Sequence, residues 1–278
     1  MKKATVFTLG ILCAFVLFTS TAFAWDDLIA ITSGSKIGEP GNAWAGALLR
    51  YSTAGDSYDK DGESQELADD ATGLRIPIIG TYTFMEKLDT FAILPIVSMD
   101  DGNESESGIG DIWLGAKYAV MEDGLLTIRG ALDIPTGDDE KGLGNAGGFG
   151  LDVAALTGKE INDQVNVGGG VGIRMNGEDS DTEWAPGMAF YVHGGVDYKV
   201  TEQIPVWVGL TYFNQGDGEF SGNEVSDSTV NWLDLNIGGA YNISEDLFAG
   251  AGIDYTLTGT NTDADLGISV WAGYHIMK

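Results

Sequence analysis

The chain lacks long apolar runs, and beyond its first two dozen residues nothing approaches the roughly 20 consecutive apolar residues of a membrane helix. Cysteine is present once, as Cys13, inside an apolar leader. The chain that follows therefore has no disulfide and no thiol chemistry. Histidine is limited to His193 and His275. Neither has Ser, Cys or Asp beside it in a catalytic spacing, and a zinc centre of the His/Cys type would lack ligands. The expectation is no enzyme, no cofactor and no metal. Basic residues are scarce as well: 14 Lys and Arg stand against 42 Asp and Glu, for a net charge of −28. Such a balance argues against nucleic acid and anionic membrane headgroups as partners, because both require a basic surface.

What is present begins with a leader. Lys2 and Lys3 precede an apolar stretch from Ala4 to Phe18, and Ala22-Phe23-Ala24 carries small residues at the positions a signal peptidase reads. Residues 1–24 are expected to be a cleaved signal peptide, with cleavage before Trp25. Ile11 and Leu12 before Cys13 argue against a lipoprotein signal.

After the leader, hydrophobic residues occupy alternate positions, the period of a strand with two unlike faces. Six such stretches make a first half: 42–52, 73–85, 89–99, 109–121, 124–134 and 148–157. Six more follow at 164–175, 187–200, 204–214, 230–242, 246–257 and 265–277. Their connections alternate in length. Short turns such as Glu86-Lys87-Leu88 and Glu122-Asp123 take turns with long stretches rich in Asp, Glu, Gly and Ser, such as 53–72 and 215–229. Sorting connections by length in this way is the habit of an antiparallel up-and-down β-barrel in an outer membrane. The expected fold is therefore all-β, a transmembrane barrel of about twelve strands over residues 42–278. An even strand number puts both termini on the short-turn, periplasmic side.

Aromatic residues sharpen the reading. Tyr82, Phe84, Tyr118, Tyr198, Tyr241 and Tyr274 share the apolar face near the short-turn ends of their strands. Phe149, Phe190, Tyr212 and Tyr255 share it near the other ends. Two such rows match the aromatic girdles at the two membrane interfaces.

The opposite face carries the charges. By parity Arg75, Lys117, Arg129, Arg174 and Lys199 point into the lumen. So do Asp111, Asp133, Asp152, Asp197, Asp234, Asp254 and His193. Charges on the lipid face would be costly, which supports this register. Two roles are open: cross-lumen pairs that hold the barrel shut, or a polar lining that biases which solute passes. Gly168-Gly169-Gly170 and Gly172 lie within a strand with no helix behind it, so they are not a phosphate loop. They make room for a bend or a bulky neighbour. The acidic clusters at 138–140 and 178–181 lack the spacing of a calcium loop and read as solvated charge.

Three stretches resemble a known family. Residues 108–118 read GIGDIWLGAKY, 131–138 read ALDIPTGD and 147–152 read GGFGLD. This order is similar to outer-membrane proteins of the MetA-pathway-of-phenol-degradation family. The resemblance spans about Leu74 to the C-terminus and implies a barrel that passes small, including aromatic, compounds. Read physically, these stretches set Asp111 toward the lumen near the outer end of its strand and Asp133 at a similar height on the next, which Pro135-Thr136-Gly137 ends. The chain ends Tyr274-His275-Ile276-Met277-Lys278, without the terminal aromatic that the barrel assembly machinery, an expected partner, reads in many outer-membrane barrels.

The expected function is a passive outer-membrane channel for a small-molecule solute. The expected surroundings are outer-membrane lipid and lipopolysaccharide. A closed surface barrel whose acidic loops bind cations, lipopolysaccharide or a partner is the alternative. Residues 25–41 form a lead segment with three open placements: an extension of the first strand, the periplasmic rim, or the lumen as a plug.

Overall fold

Period-two alternation leaves each strand with one apolar face, and closing the sheet on itself lets that face meet lipid. A computed structural model describes residues 26–100, 102, 104–138, 141–144, 147–180 and 183–277; the expected signal peptide lies outside them. The barrel strands are β1 (Ala43–Tyr58), β2 (Ser64–Met85), β3 (Leu88–Asp100), β4 (Ile112–Met121), β5 (Leu126–Ile134) and β6 (Gly148–Glu160). Then come β7 (Val165–Gly177), β8 (Ala189–Thr201), β9 (Ile204–Gln215), β10 (Val230–Asn242), β11 (Leu247–Thr260) and β12 (Leu266–Met277). Every strand pairs antiparallel with its sequence neighbours. The seam is closed by β1 on β12, from Ala43 opposite Met277 to Thr53 opposite Leu266. The protein is a closed twelve-stranded antiparallel barrel.

Burial follows the predicted parity. In β3 every second residue from Asp89 to Met99 is buried and faces inward, while the residues between are more open. The outward face presents large apolar side chains around the wall, among them Ile78, Leu132, Val171, Ile237 and Val270. A soluble protein does not expose such a continuous band. Tyr82, Phe84, Tyr118, Tyr198, Tyr241 and Tyr274 all stand exposed on this face, as do Phe149, Phe190 and Tyr255.

Three expected boundaries differ. Residues 53–72, read as a loop, are mostly strand, because β1 and β2 continue as a polar hairpin with Thr53 opposite Thr72 and Tyr58 opposite Ser64. Both faces of this extension are polar, so no alternation marks it. Its tip is a turn in which Asp59 Oδ1 accepts the N–H groups of Asp61 and Glu63, each at 2.9 Å, and Gly62 takes a φ of 77°. The long connections around 176–186 and 215–229 also hold short strands: Trp184–Ala185, Glu219–Phe220 and Asn223–Glu224 form a small sheet of their own. Last, the stretch 109–121 is broken. Ser105–Ile109 pairs with β3, Gly110 and Asp111 interrupt it, and β4 starts at Ile112. The break turns the Asp111 carboxylate toward the next loop, where Oδ1 accepts from Thr136 N at 2.9 Å and Gly137 N at 2.8 Å.

Candidate functional site in the barrel lumen

The lumen is occupied on one side by the N-terminal segment. Its short helix α1 (Asp27–Thr32) is capped by Asp26, whose Oδ1 accepts from Ile29 N at 2.8 Å. Leu28 and Ile29 point to opposite sides of the bore. Leu28 packs with Ile79, Phe91, Ile93, Trp113 and Ala131, and Ile29 packs with Leu156, Tyr191, Phe213 and Trp232. Fully burying such a side chain contributes about 1.5–3 kcal/mol. Of the three placements open for the lead, residues 26–35 take the lumen, and the chain from Lys36 to the start of β1 runs at the short-turn rim.

Charge holds the segment there. Asp26 pairs with Arg174 at 2.6 Å and Asp27 with Arg75 at 3.4 Å. Arg129, fully buried, donates to the Leu28 carbonyl at 3.3 Å and to the Thr32 hydroxyl. It also pairs with Asp152 at 2.8 Å and donates to the Tyr191 hydroxyl. Asp152 accepts in turn from Arg174 Nε at 3.3 Å and from Tyr191 at 2.7 Å. The Arg174 guanidinium lies over Trp113, 4.7 Å from the ring centroid. Further along, Lys117 donates to the carbonyls of Gly34 at 3.2 Å and Lys36 at 3.4 Å. Thr127 donates to the Ser35 carbonyl at 2.6 Å, and Lys36 meets Glu160 at the short-turn rim. Each buried charge therefore faces an opposite charge or an oriented dipole, as burial requires.

The other side of the bore is built from aromatic rings and glycines. Trp207 stands across from Gly238, Trp271 from Gly250 and Tyr191 from Gly172. A Cβ at any of these glycines would overlap the facing ring. The large side chain lies down along the wall because its neighbour has none. Trp207 and Trp271 meet with centroids 5.2 Å apart. Gly168 faces Gly195, Gly169 faces Gly194 and Gly170 faces His193. This glycine patch leaves room for the His193 ring.

Between that wall and the plug lies a cavity of about 640 Å³. It is lined by Trp44, Trp207, Trp232, Phe248 and Trp271, with His193, Asn166 and Asp234 as polar points. At the short-turn end it reaches the rim at Lys36, Lys159 and Asp197. At the long-loop end Trp232 stacks on Phe213, centroids 5.1 Å apart and planes 10° off parallel. Beside this stack Arg50 is buried in a cluster with Asp254 and Asp265. Above it, Asp263 in the last long loop has its carboxyl pushed up to about 7 by burial and by the neighbouring Asp265.

The sequence-selected residues thus separate into groups. Arg75, Arg129, Asp152 and Arg174 converge with Asp26 and Asp27 on the plug. Lys117 holds the plug's continuation. His193, Asp197, Asp234 and Asp254 line the cavity. Asp111 fixes a loop, and Asp133 is buried opposite Gly150 on β6. Lys199 sits near the short-turn rim, where its N–H donates to the Gln164 carbonyl. Sequence reasoning passed over Arg50 and the inward tryptophans. Parity was the available signal: Arg50 shares a face with Ser52, and Trp271 shares one with Ser269 and His275.

Comparison with solved structures places this geometry among outer-membrane barrels. The fold is similar to that of an outer membrane channel from Pseudomonas putida F1, with a TM-score of 0.76 at 15% identity over 87% of this chain and 98% of that one. It is also similar to the CymD monoaromatic hydrocarbon channel, with a TM-score of 0.51 at 11% identity over 93% and 95% of the two chains. The NanC porin gives 0.51 at 10% identity over 82% and 98%. No curated protein matches the sequence. The profile of the family described as "Putative MetA-pathway of phenol degradation" matches residues 28–273, from the plug helix to the last strand, and the chain belongs to that family.

Proposed function

We propose that the protein is a passive outer-membrane channel for small solutes with an aromatic or apolar body. Its termini and short turns face the periplasm, and its acidic loops face outside. The observation that carries this reading is the cavity of about 640 Å³, open at the short-turn rim and walled by indoles and glycine backbone. That volume falls in the range of roughly 300–1,000 Å³ typical of small-molecule sites. Flat rings and bare backbone offer dispersion contacts over a broad area and few hydrogen bonds, which suits an aromatic ring better than a sugar. Family membership and the fold shared with the CymD monoaromatic hydrocarbon channel support the same reading. Transport is diffusion down a gradient. Passage beyond the cavity requires the Phe213–Trp232 stack or the plug to shift.

One observation favours a closed surface barrel: Leu28 and Ile29 fill the bore between opposite walls. Flux into liposomes carrying the folded chain decides between the two. The channel reading expects phenol and benzoate to enter faster than in empty liposomes, and faster than a sugar. No flux from protein shown to be folded overturns it.

A further inference from the structure

The polar points of the cavity are unevenly provided for. Its charged lining consists of Asp26, Lys36, Lys159, Asp197, Asp234 and Asp254. Asp26 is bound to Arg174, Lys36 to Glu160 and Asp254 to Arg50. Lys159 and Asp197 lie near the short-turn ends of their strands. Asp234 is different. It sits at the inner end of the cavity, 3% exposed, and its Oδ1 has no hydrogen-bond partner among the described residues. Its carboxyl group is hydrogen-bonded by the Thr256 side chain, and its charged neighbours are Asp254, Asp265 and Arg50, so one guanidinium serves three carboxyl groups. A buried carboxyl oxygen left without a donor is costly, and a solute that brings the donor recovers that cost. Two more cavity-lining atoms, His193 Nε2 and Asn166 Oδ1, are buried without a partner among the described residues. Around them stand the faces of Trp207, Trp232 and Trp271, and indole is the ring that best attracts a cation.

We propose that the cavity is a binding site for an aromatic monoamine in its ammonium form, with the ring among the tryptophans of the lining and the ammonium group donating to Asp234. The inference rests on the reading of the lumen as a solute path, and it assigns the polar group that the path selects. Among solutes that share a ring, a carboxylate is the one the site holds least tightly, since it would bring a second acceptor to Asp234. The strongly acidic chain, with 42 Asp and Glu against 14 Lys and Arg, concentrates cations at the same time.

The test is calorimetric titration of the folded full-length barrel with benzylamine, benzyl alcohol and benzoate, which share a ring and differ in the donor. Benzylamine is expected to bind about tenfold more tightly than benzyl alcohol, a difference of about 1.4 kcal/mol. Benzoate is expected to bind weakest. Asp234→Asn should abolish the tenfold preference and bring benzylamine level with benzyl alcohol. Heat-modifiable migration on gels checks that the variant still forms a barrel, and the three-probe order in the unsubstituted protein stands without any variant. Benzoate binding as tightly as benzylamine overturns the inference, as does a preference that survives Asp234→Asn. Phenol flux without any preference for benzylamine removes this inference and leaves the channel. Asp234-dependent binding without flux removes the channel and leaves the site.

Discussion

The two sides of the lumen obey the same strand parity and are built to opposite ends. The side covered by α1 sets Arg75, Arg129 and Arg174 against Asp26, Asp27 and Asp152, so that each charge faces an opposite one even though Arg129 Nε and Arg174 Nη2 have no hydrogen-bond partner among the described residues. The side from β8 round to β12 sets Trp207 and Trp271 on Gly238 and Gly250 and leaves Asp234 Oδ1 unpartnered among the described residues. A paired, buried network is rigid, and removing one member costs about 3–5 kcal/mol because the other is stranded. Rings on glycines carry no such penalty and leave space. One wall therefore serves to hold a segment in place, and the other to accept something that comes and goes.

The largest effect should come from emptying the first wall. Deleting residues 26–36 removes Leu28, Ile29 and the partners of Arg75 and Arg174. Single-channel conductance in planar bilayers should rise by roughly an order of magnitude, since the bore is then limited by its lining alone. Unchanged conductance would mean that the segment does not block the path. A smaller effect is expected from filling the second wall. Gly250→Val places a branched side chain where the Trp271 ring lies and should drive the indole into the cavity. The cost in stability is about 1–3 kcal/mol, as in other overpacked sites. Liposome flux of phenol should fall severalfold while the plug-side ion pairs stay intact. If flux holds steady, the Trp-lined cavity is not on the route.

The smallest effect lies outside both walls, at Asp263. This residue is opposite Ser57 on the hairpin extension of β1, and its folded pKa of about 7 stands above the ordinary 3.8. Between those values the folded loop keeps a proton that the opened loop has released. The local stability is therefore full below about pH 4, declines as pH rises and levels off above about 7. Amide exchange at Ser57 and Tyr58, corrected for intrinsic rate, should accelerate across that window by at most about tenfold per pH unit. Asp263→Asn should flatten the profile. A profile equally steep in the variant would assign the dependence to another group.

Much of this was legible before any coordinates. Alternation is a local property: Met188, Phe190 and Val192 announce their lipid face without reference to any other strand. The five short turns likewise marked the strand junctions on one side. The hairpin extension of β1 and β2 was missed because both its faces meet water, which removes the alternation that betrays a strand. The break at Gly110-Asp111 was missed because an unbroken strand would set Ile109 and Trp113 on one face, whereas the break leaves Ile109 outward and Trp113 inward, a change of face that no local pattern marks. The site was legible only in part. Arg129, Asp152 and Arg174 were recognisable as lumenal, yet their partners in the lead segment were not, since nothing in DDLIAITSG names a place for it.

The sequence by itself determined the barrel, the face each residue presents and the outward aromatic rows, because a strand's two faces meet two different solvents and the period is written residue by residue. Only the tertiary structure decided that residues 26–35 enter the bore, which lumenal charges they pair with, and that a cavity remains on the far side. Those outcomes depend on groups more than a hundred residues apart, such as Asp26 and Arg174, meeting across a closed sheet whose curvature no local pattern records.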